Sequence, residues 1–201
     1  MRGDILAAVL LPGERLRFEQ LRRLYGASFG TLREALAHLV REGLVRAEGQ
    51  RGFRVAPATR AELADLLEMR ILLEREALRR SLAAGDPDWA TALAAAFDAP
   101  DPPGQGSPAG AMPGQPARDA LVAACPSPTL LEFRATILQR VLRYRGLALK
   151  LRPEALDLPA LPAALRDAAL ARDAARAGDL AEARIQAEGK AILGAAAPML
   201  A

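Results

Sequence analysis

Between residues 28 and 43 apolar side chains recur at helical spacing. Leu32, Ala35, Leu36, Leu39 and Val40 stand at i, i+3, i+4, i+7 and i+8, one stripe of a helix. Ser28 precedes the stripe, where its hydroxyl can cap the free N–H groups of a first turn. Gly43 follows it, where a left-handed residue ends a helix at little cost. The opposite face carries Thr31, Arg33, Glu34, His38 and Arg41. A shorter helix is expected over Phe18–Tyr25, with Leu21, Leu24 and Tyr25 turned inward and Gly26 and Ala27 forming the turn between the helices. Residues 44–48 and 53–56 then read as short strands around a tip, Gly49-Gln50-Arg51-Gly52. This order predicts a winged helix-turn-helix over residues 1–57, with three helices and a two-stranded wing.

From residue 58 to 201 the pattern is all helical, an α-helical bundle. Thr59 is placed to cap a long helix over 60–84, whose apolar face carries Leu63, Leu66, Leu67, Ile71, Leu78 and Leu82. Arg70 and Glu74 lie on or beside that face, four residues apart. Further helices are expected from about Trp89 to Phe97, over 119–125 and over 128–151. The last of these carries Leu130, Leu131, Phe133, Ile137, Leu138, Val141 and Leu142. Residues 153–162 hold three prolines and read as a link, and 163–177 and 179–195 read as a final helix pair separated by Gly178. Residues 98–117 are dense in Pro, Gly and Ala without periodicity and read as a flexible loop.

Charge adds a direction to this plan. The chain has 201 residues and a net charge of +3. Residues 1–60 hold eleven arginines against six carboxylates, a local +5, which leaves −2 on the remainder. A basic module on a mildly acidic body fits a nucleic-acid reader carrying a separate sensor. The single cysteine, Cys125, sits in an apolar run and is expected to be a buried packing residue. No stretch is long and apolar enough to span a membrane and no signal peptide opens the chain, so a cytoplasmic protein is expected. An enzyme is not expected: one histidine, no Gly-rich phosphate loop and no nucleophile–base pair are present.

The wording of the first third sharpens the reading. Pro12-Gly13-Glu14-Arg15-Leu16, Tyr25-Gly26-Ala27-Ser28, Leu32-Arg33-Glu34-Ala35-Leu36, Glu42-Gly43-Leu44-Val45 and Arg51-Gly52-Phe53-Arg54-Val55 follow one another at family spacing. In them the segment resembles the DNA-binding domain of GntR-family transcription regulators. The resemblance implies that the helix at residues 28–41 reads DNA, with Ser28, Thr31, Arg33, His38, Arg41, Gln50, Arg51 and Gly52 as candidate contacts. Phe29 and Gly30 depart from it, since the family often has an arginine and a small polar residue there. With Arg33 retained, the departure points to an altered base preference and not to lost binding.

The remainder resembles, more loosely, the FCD (FadR-type) effector domain. The resemblance rests on Arg70-Ile71-Leu72-Leu73-Glu74 with Ala77, on residues 119–124, on Ser127-Pro128, on residues 167–173 and on Gly178-Asp179. It implies a homodimer on a palindromic operator, with a small organic acid sensed inside the bundle and, in many members, a divalent metal. The metal pattern is not kept. Its Asp and His positions fall on Gly114 and Arg118, and a further His position falls on Pro162. The closing helix has no histidine between about Arg184 and Lys190, and the chain's one histidine is His38. No metal or other cofactor is therefore expected. Arg70, Arg134 and Tyr144 are the candidate effector residues, with Glu74 as an internal partner for Arg70. Arg140, Arg143 and Arg145 are expected to be solvated. The expected function is a metabolite-responsive repressor that binds double-stranded DNA. The alternative is a degenerate FCD-like regulator that dimerises and binds DNA but senses nothing. Whether 98–117 is an insertion or marks a degenerate bundle stays open.

Overall fold

The computed structural model describes residues 1–99, 114–156 and 161–200, apart from the side chain of Gln50. Its N-terminal region runs α1 (Arg2–Leu6), β1 (Arg15–Leu16), α2 (Phe18–Tyr25), α3 (Phe29–Arg41), β2 (Val45–Ala47), a 3-10 turn (Gly49–Arg51) and β3 (Phe53–Val55). Leu32, Leu36 and Leu39 close a core with Ile5, Leu6, Leu16, Leu21, Leu44, Val45 and Val55. Gly43, at φ +72°, ends α3 in the left-handed conformation that leads the chain into β2.

The wing has three strands, not two. β3 lies between β1 and β2, antiparallel to both, with Arg15 opposite Arg54 and Arg46 opposite Arg54. Two backbone bonds recruit the extra strand, from Gly13 N–H to Val55 O and from Val55 N–H to Glu14 O. Leu24 is also not inward; it is 60% exposed. Tyr25 takes the inner position because its hydroxyl donates to Asp4 of α1 at 2.5 Å.

The elements among the remaining described residues are helical: α4 (Arg60–Ala84), α5 (Pro87–Asp98), α6 (Gln115–Val122), α7 (Pro128–Leu151), α8 (Ala163–Leu170) and α9 (Ala174–Ala196). Side-chain caps fix the starts of the long helices: Thr59 accepts from Glu62 N–H, Ser127 from Leu130 N–H and Asp173 from Arg176 N–H. Asp98 closes α5 and Gln115 opens α6, so the expected loop at 98–117 is helical at both margins. Residues 100–113 lie outside the described residues. α6 starts earlier than expected because Pro116 sits in its first turn, where a missing N–H costs nothing.

Gly178 does not divide the last helix pair. The break comes at Ala171–Asp173, where Arg172 is left-handed (φ +60°) and Asp173 caps the next helix. Gly178 lies inside α9 because a side chain there would press on the Arg75 guanidinium of α4, 3.2 Å from its central carbon. Composition alone reads such a glycine as a breaker, although its role is to let α9 pass close to α4.

Residues Val141 to Ala148 of α7 are buried without a gap. Leu142 belongs to the core of the N-terminal region, while Val141, Tyr144, Leu147 and Ala148 join Leu63, Leu66 and Ile192 in a second core that also takes in Ala8 and Ala58. A third core gathers Leu78, Leu82, Trp89, Leu93, Leu121, Cys125, Leu165 and Ala169. Phe133, expected inside, is 61% exposed, because the apolar stripe of α7 is wider than the surface its neighbours cover.

Candidate functional site

α3 presents its polar face to solvent as the spacing requires. Ser28, Thr31, Arg33, His38 and Arg41 are exposed, while Leu32, Leu36 and Leu39 hold the other face in the core. Ser28 is extended, and its Oγ accepts from Thr31 N–H at 3.2 Å and lies 2.9 Å from Thr31 Oγ1. The first turn carries no acidic residue, so the positive end of the helix is left uncancelled toward an incoming phosphate. Arg41 donates to His38 Nδ1 at 2.8 Å, which steadies both side chains near the helix end. Replacing Ser28 by Ala removes the cap and is expected to cost about 1 kcal/mol of stability. Chemical denaturation checks this, and no change in the midpoint would contradict it.

The wing tip is braced by a residue that the sequence did not single out. Arg15 of β1 donates to the Arg51 carbonyl at 3.0 Å. Arg54 in the centre strand pairs with Glu48 at 2.9 Å and donates to Gly13 O at 2.6 Å. Arg51 is thus exposed on a tip held from both sides, with Gly52 beside it at φ +91°. The side chain of Gln50 lies outside the described residues. Strand pairing, which brings position 15 beside position 54, is the signal that would have found Arg15.

Phe29, one of the two departures, is not idle. Its ring stacks on Phe18 of α2 with centroids 4.3 Å apart, and Phe18 meets Phe53 of the wing edge-on at 6.1 Å. Even so Phe29 remains 54% exposed.

The three residues expected to meet an effector are found in two places. Arg70 is 4% exposed and pairs with Glu188 of α9 at 3.0 Å, not with Glu74. Glu74 instead takes Arg134 in a two-pronged pair at 2.7 and 3.1 Å. The helices turn these two charges toward different partners, which an i, i+4 spacing does not disclose. Arg118, Arg145 and Arg184 share the field of Arg70 and Glu188. Burial, with repulsion from Arg70, pushes the Arg118 guanidinium down to about 10. Glu74, Arg118, Arg184 and five aliphatic side chains, Leu121, Leu161, Leu165, Ala181 and Ile185, line a narrow cavity of about 10 Å³.

Tyr144 stands elsewhere, at the contact between the N-terminal region and the bundle. Glu62 of α4 accepts from Tyr144 Oη at 2.6 Å, from Arg140 at 2.7 Å and from Arg143 at 2.9 Å. Arg143 also donates to the Ala56 carbonyl at 2.9 Å, and Tyr144 Oη accepts from Thr59 N–H at 3.2 Å. Burial and the Glu62 bond push the Tyr144 hydroxyl up to about 12, so it stays a donor. Arg143 and Arg145 are 2% and 6% exposed and Arg140 is half-buried, so the expected solvation of the three is not found. Arg140 and Arg143 instead join the bundle to the N-terminal region through Glu62 and Ala56.

A resident metal does not fit these residues. Arg118 places a buried guanidinium, a donor only, where a ligand would need a lone pair. Among the described residues no group of three or more His, Cys, Asp or Glu converges. Among them, too, no helix is long and apolar enough to cross a membrane.

Comparison with known proteins agrees with this geometry. The family described as "Bacterial regulatory proteins, gntR family" matches residues 1–55. BphR of Paraburkholderia xenovorans LB400, an uncharacterized HTH-type transcriptional regulator, is 34% identical over 179 residues, covering 85% of this chain and 73% of its own. GlaR of Escherichia coli K12, an HTH-type transcriptional repressor, is 34% identical over 156 residues, covering 75% and 71%. Among solved structures, a putative GntR regulator from Rhodococcus sp. RHA1 superposes with a TM-score of 0.67 at 22% identity, covering 96% of this chain and 93% of that one. McbR/YncC of E. coli does so at 0.66 and 20%, covering 92% and 89%. The chain belongs to the GntR family: it is a helix-turn-helix transcription regulator and not an enzyme.

Proposed function

We propose that the protein is a cytoplasmic, metabolite-responsive repressor whose two copies read a palindromic operator. The observation that carries the reading is the solvent face of α3, where Ser28, Thr31, Arg33 and Arg41 are exposed above a buried leucine face. Residues 1–57 are the reading module, and each copy lays α3 in a major groove while Arg51 and Gly52 of the wing reach the flanking backbone. Residues 58–201 form an FCD-like dimerising and sensing module with a divergent, metal-free interior. GlaR, a named repressor, is similar over most of both chains, which supports the sign of regulation.

The effector of this reading is a small carboxylate held by arginines, since a guanidinium grips a carboxylate with two parallel bonds. The cavity that Arg118 and Arg184 line together with Glu74 and aliphatic side chains supports it. So small a space holds about one water, so binding requires α6, α8 and α9 to move apart. That movement would reach α3 through α7, whose Arg134 touches Glu74 and whose Arg143 holds Ala56. A second reading, a regulator that senses nothing, draws on the same ion pairs: Arg70 and Arg134 already have carboxylate partners within the chain.

Fluorescence anisotropy on the DNA upstream of the protein's own gene tests the reading. Specific binding over random duplex is expected, and each phosphate neutralised adds about −0.9 to the slope of log affinity against log salt. Binding with no preference over random duplex would contradict it. A shift in affinity or melting temperature with dicarboxylates, absent with neutral analogues, separates the sensing form from the silent one.

A further inference from the structure

The two departures at the start of α3 form one device. Phe29 is the first residue of the helix and Arg33 follows at i+4, so ring and guanidinium share one edge of it. The ring is 54% exposed. Its remaining surface is held by Phe18 at 4.3 Å, and Phe18 is in turn held by Phe53 of the wing. The ring is therefore a fixed apolar surface, braced from α2 and the wing, at the end of the helix that meets base edges. Gly30 follows it, and a side chain built there would meet nothing nearer than Ser28 Oγ at 3.9 Å. The space beside the ring is open, and no side chain fills it.

We infer that Phe29 reads the 5-methyl group of a thymine in the major groove, with Gly30 clearing the approach. This rests on the DNA-reading role of α3. The thymine methyl is the one apolar group on a major-groove base edge, and phenylalanine is among the side chains that pack on it. An arginine or polar pair at these positions would instead select hydrogen-bonding edges, guanine above all. The Phe29-Gly30 pair thus favours thymine at one position of each half-site.

The test starts with selection of binding sites from a random duplex pool by the full-length protein. A thymine enriched at one position per half-site is expected. Replacing that thymine by deoxyuridine removes only the methyl group and is expected to weaken binding about fourfold, the worth of one buried methyl-sized group. Phe29→Ala should bind the thymine and deoxyuridine sites equally, and Phe29→Leu, which keeps an apolar side chain, should retain some of the difference. Thermal melting of the variants confirms that they are folded, and the deoxyuridine comparison needs no variant. A selected site whose thymines can all be replaced without loss overturns the inference and leaves the DNA-reading role standing, as does a Phe29→Ala protein that keeps the full difference. No enriched sequence at all overturns both.

Discussion

Glu188→Ala is expected to destabilise the protein by about 3–5 kcal/mol, the range for removing one partner of a buried pair. Glu188 is fully buried and its Oε2 holds Arg70 at 3.0 Å. Its charge also offsets burial at Arg118, Arg145 and Arg184, each of which Arg70 disfavours. Removing the carboxylate takes away the charge that offsets the repulsion of Arg70 at Arg118, Arg145 and Arg184. Removing Arg70 relieves repulsion on all three and leaves Glu188 among cations. Arg70→Ala should therefore cost clearly less than Glu188→Ala, although both break the same bond. Urea denaturation of the two variants measures the difference. Equal losses would mean that the pair acts alone and that the surrounding arginines do not feel it.

Glu62→Ala is expected to cost about 3 kcal/mol by the same principle, because Arg143 is 2% exposed and would lose its carboxylate. Tyr144 Oη would lose its acceptor as well, while keeping its bond from Thr59 N–H. Burial raises the Glu62 carboxyl, but hydrogen bonds from Tyr144 and Arg140 and the charges of Arg143 and Arg140 outweigh it and hold it below its ordinary value of 4.5. A carboxyl lowered by folding stabilises the protein above its unfolded pKa, and that contribution fades as pH falls through the folded one. The junction should hold at neutral pH and weaken progressively below about pH 4.5. Glu62→Gln keeps acceptors for Tyr144 and one arginine but should lose this acid dependence. Denaturation midpoints between about pH 3 and 7, compared for wild type and Glu62→Gln, check it; parallel pH profiles would contradict it.

Local rules made much of the architecture legible. α3, α4 and α7 begin or end where their caps and breakers stand: Ser28 and Gly43, Thr59 and Gly85, and Ser127 before Pro128. What stayed hidden depends on contacts between distant positions. β1 is two residues long and exists because the chain brings Arg15 to Arg54. Arg70 has a carboxylate four residues away yet bonds one 118 positions on, because the face of α4 that carries Arg70 meets α9. Gly178 and Phe133 escape the local rules for related reasons, since periodicity names an apolar side but not how closely a neighbour approaches or how much of it that neighbour covers. In the candidate interface, the exposed α3 residues were readable from the helical wheel. The brace from Arg15 and the aromatic stack under Phe29 were not, since both join elements separated in the chain.

The most direct test of the account is the DNA binding of Arg33→Ala beside wild type, by anisotropy on the upstream fragment and on random duplex across a salt series. Arg33 is exposed on α3 and holds no structural contact among the described hydrogen bonds and ion pairs, so its loss should leave the fold intact. The account predicts that the preference for the upstream fragment falls by about 10- to 100-fold, equivalent to roughly 1–3 kcal/mol of base readout. Weak, salt-sensitive binding to random DNA should persist. A variant that keeps the wild-type preference would contradict the assignment of α3 as the reading helix.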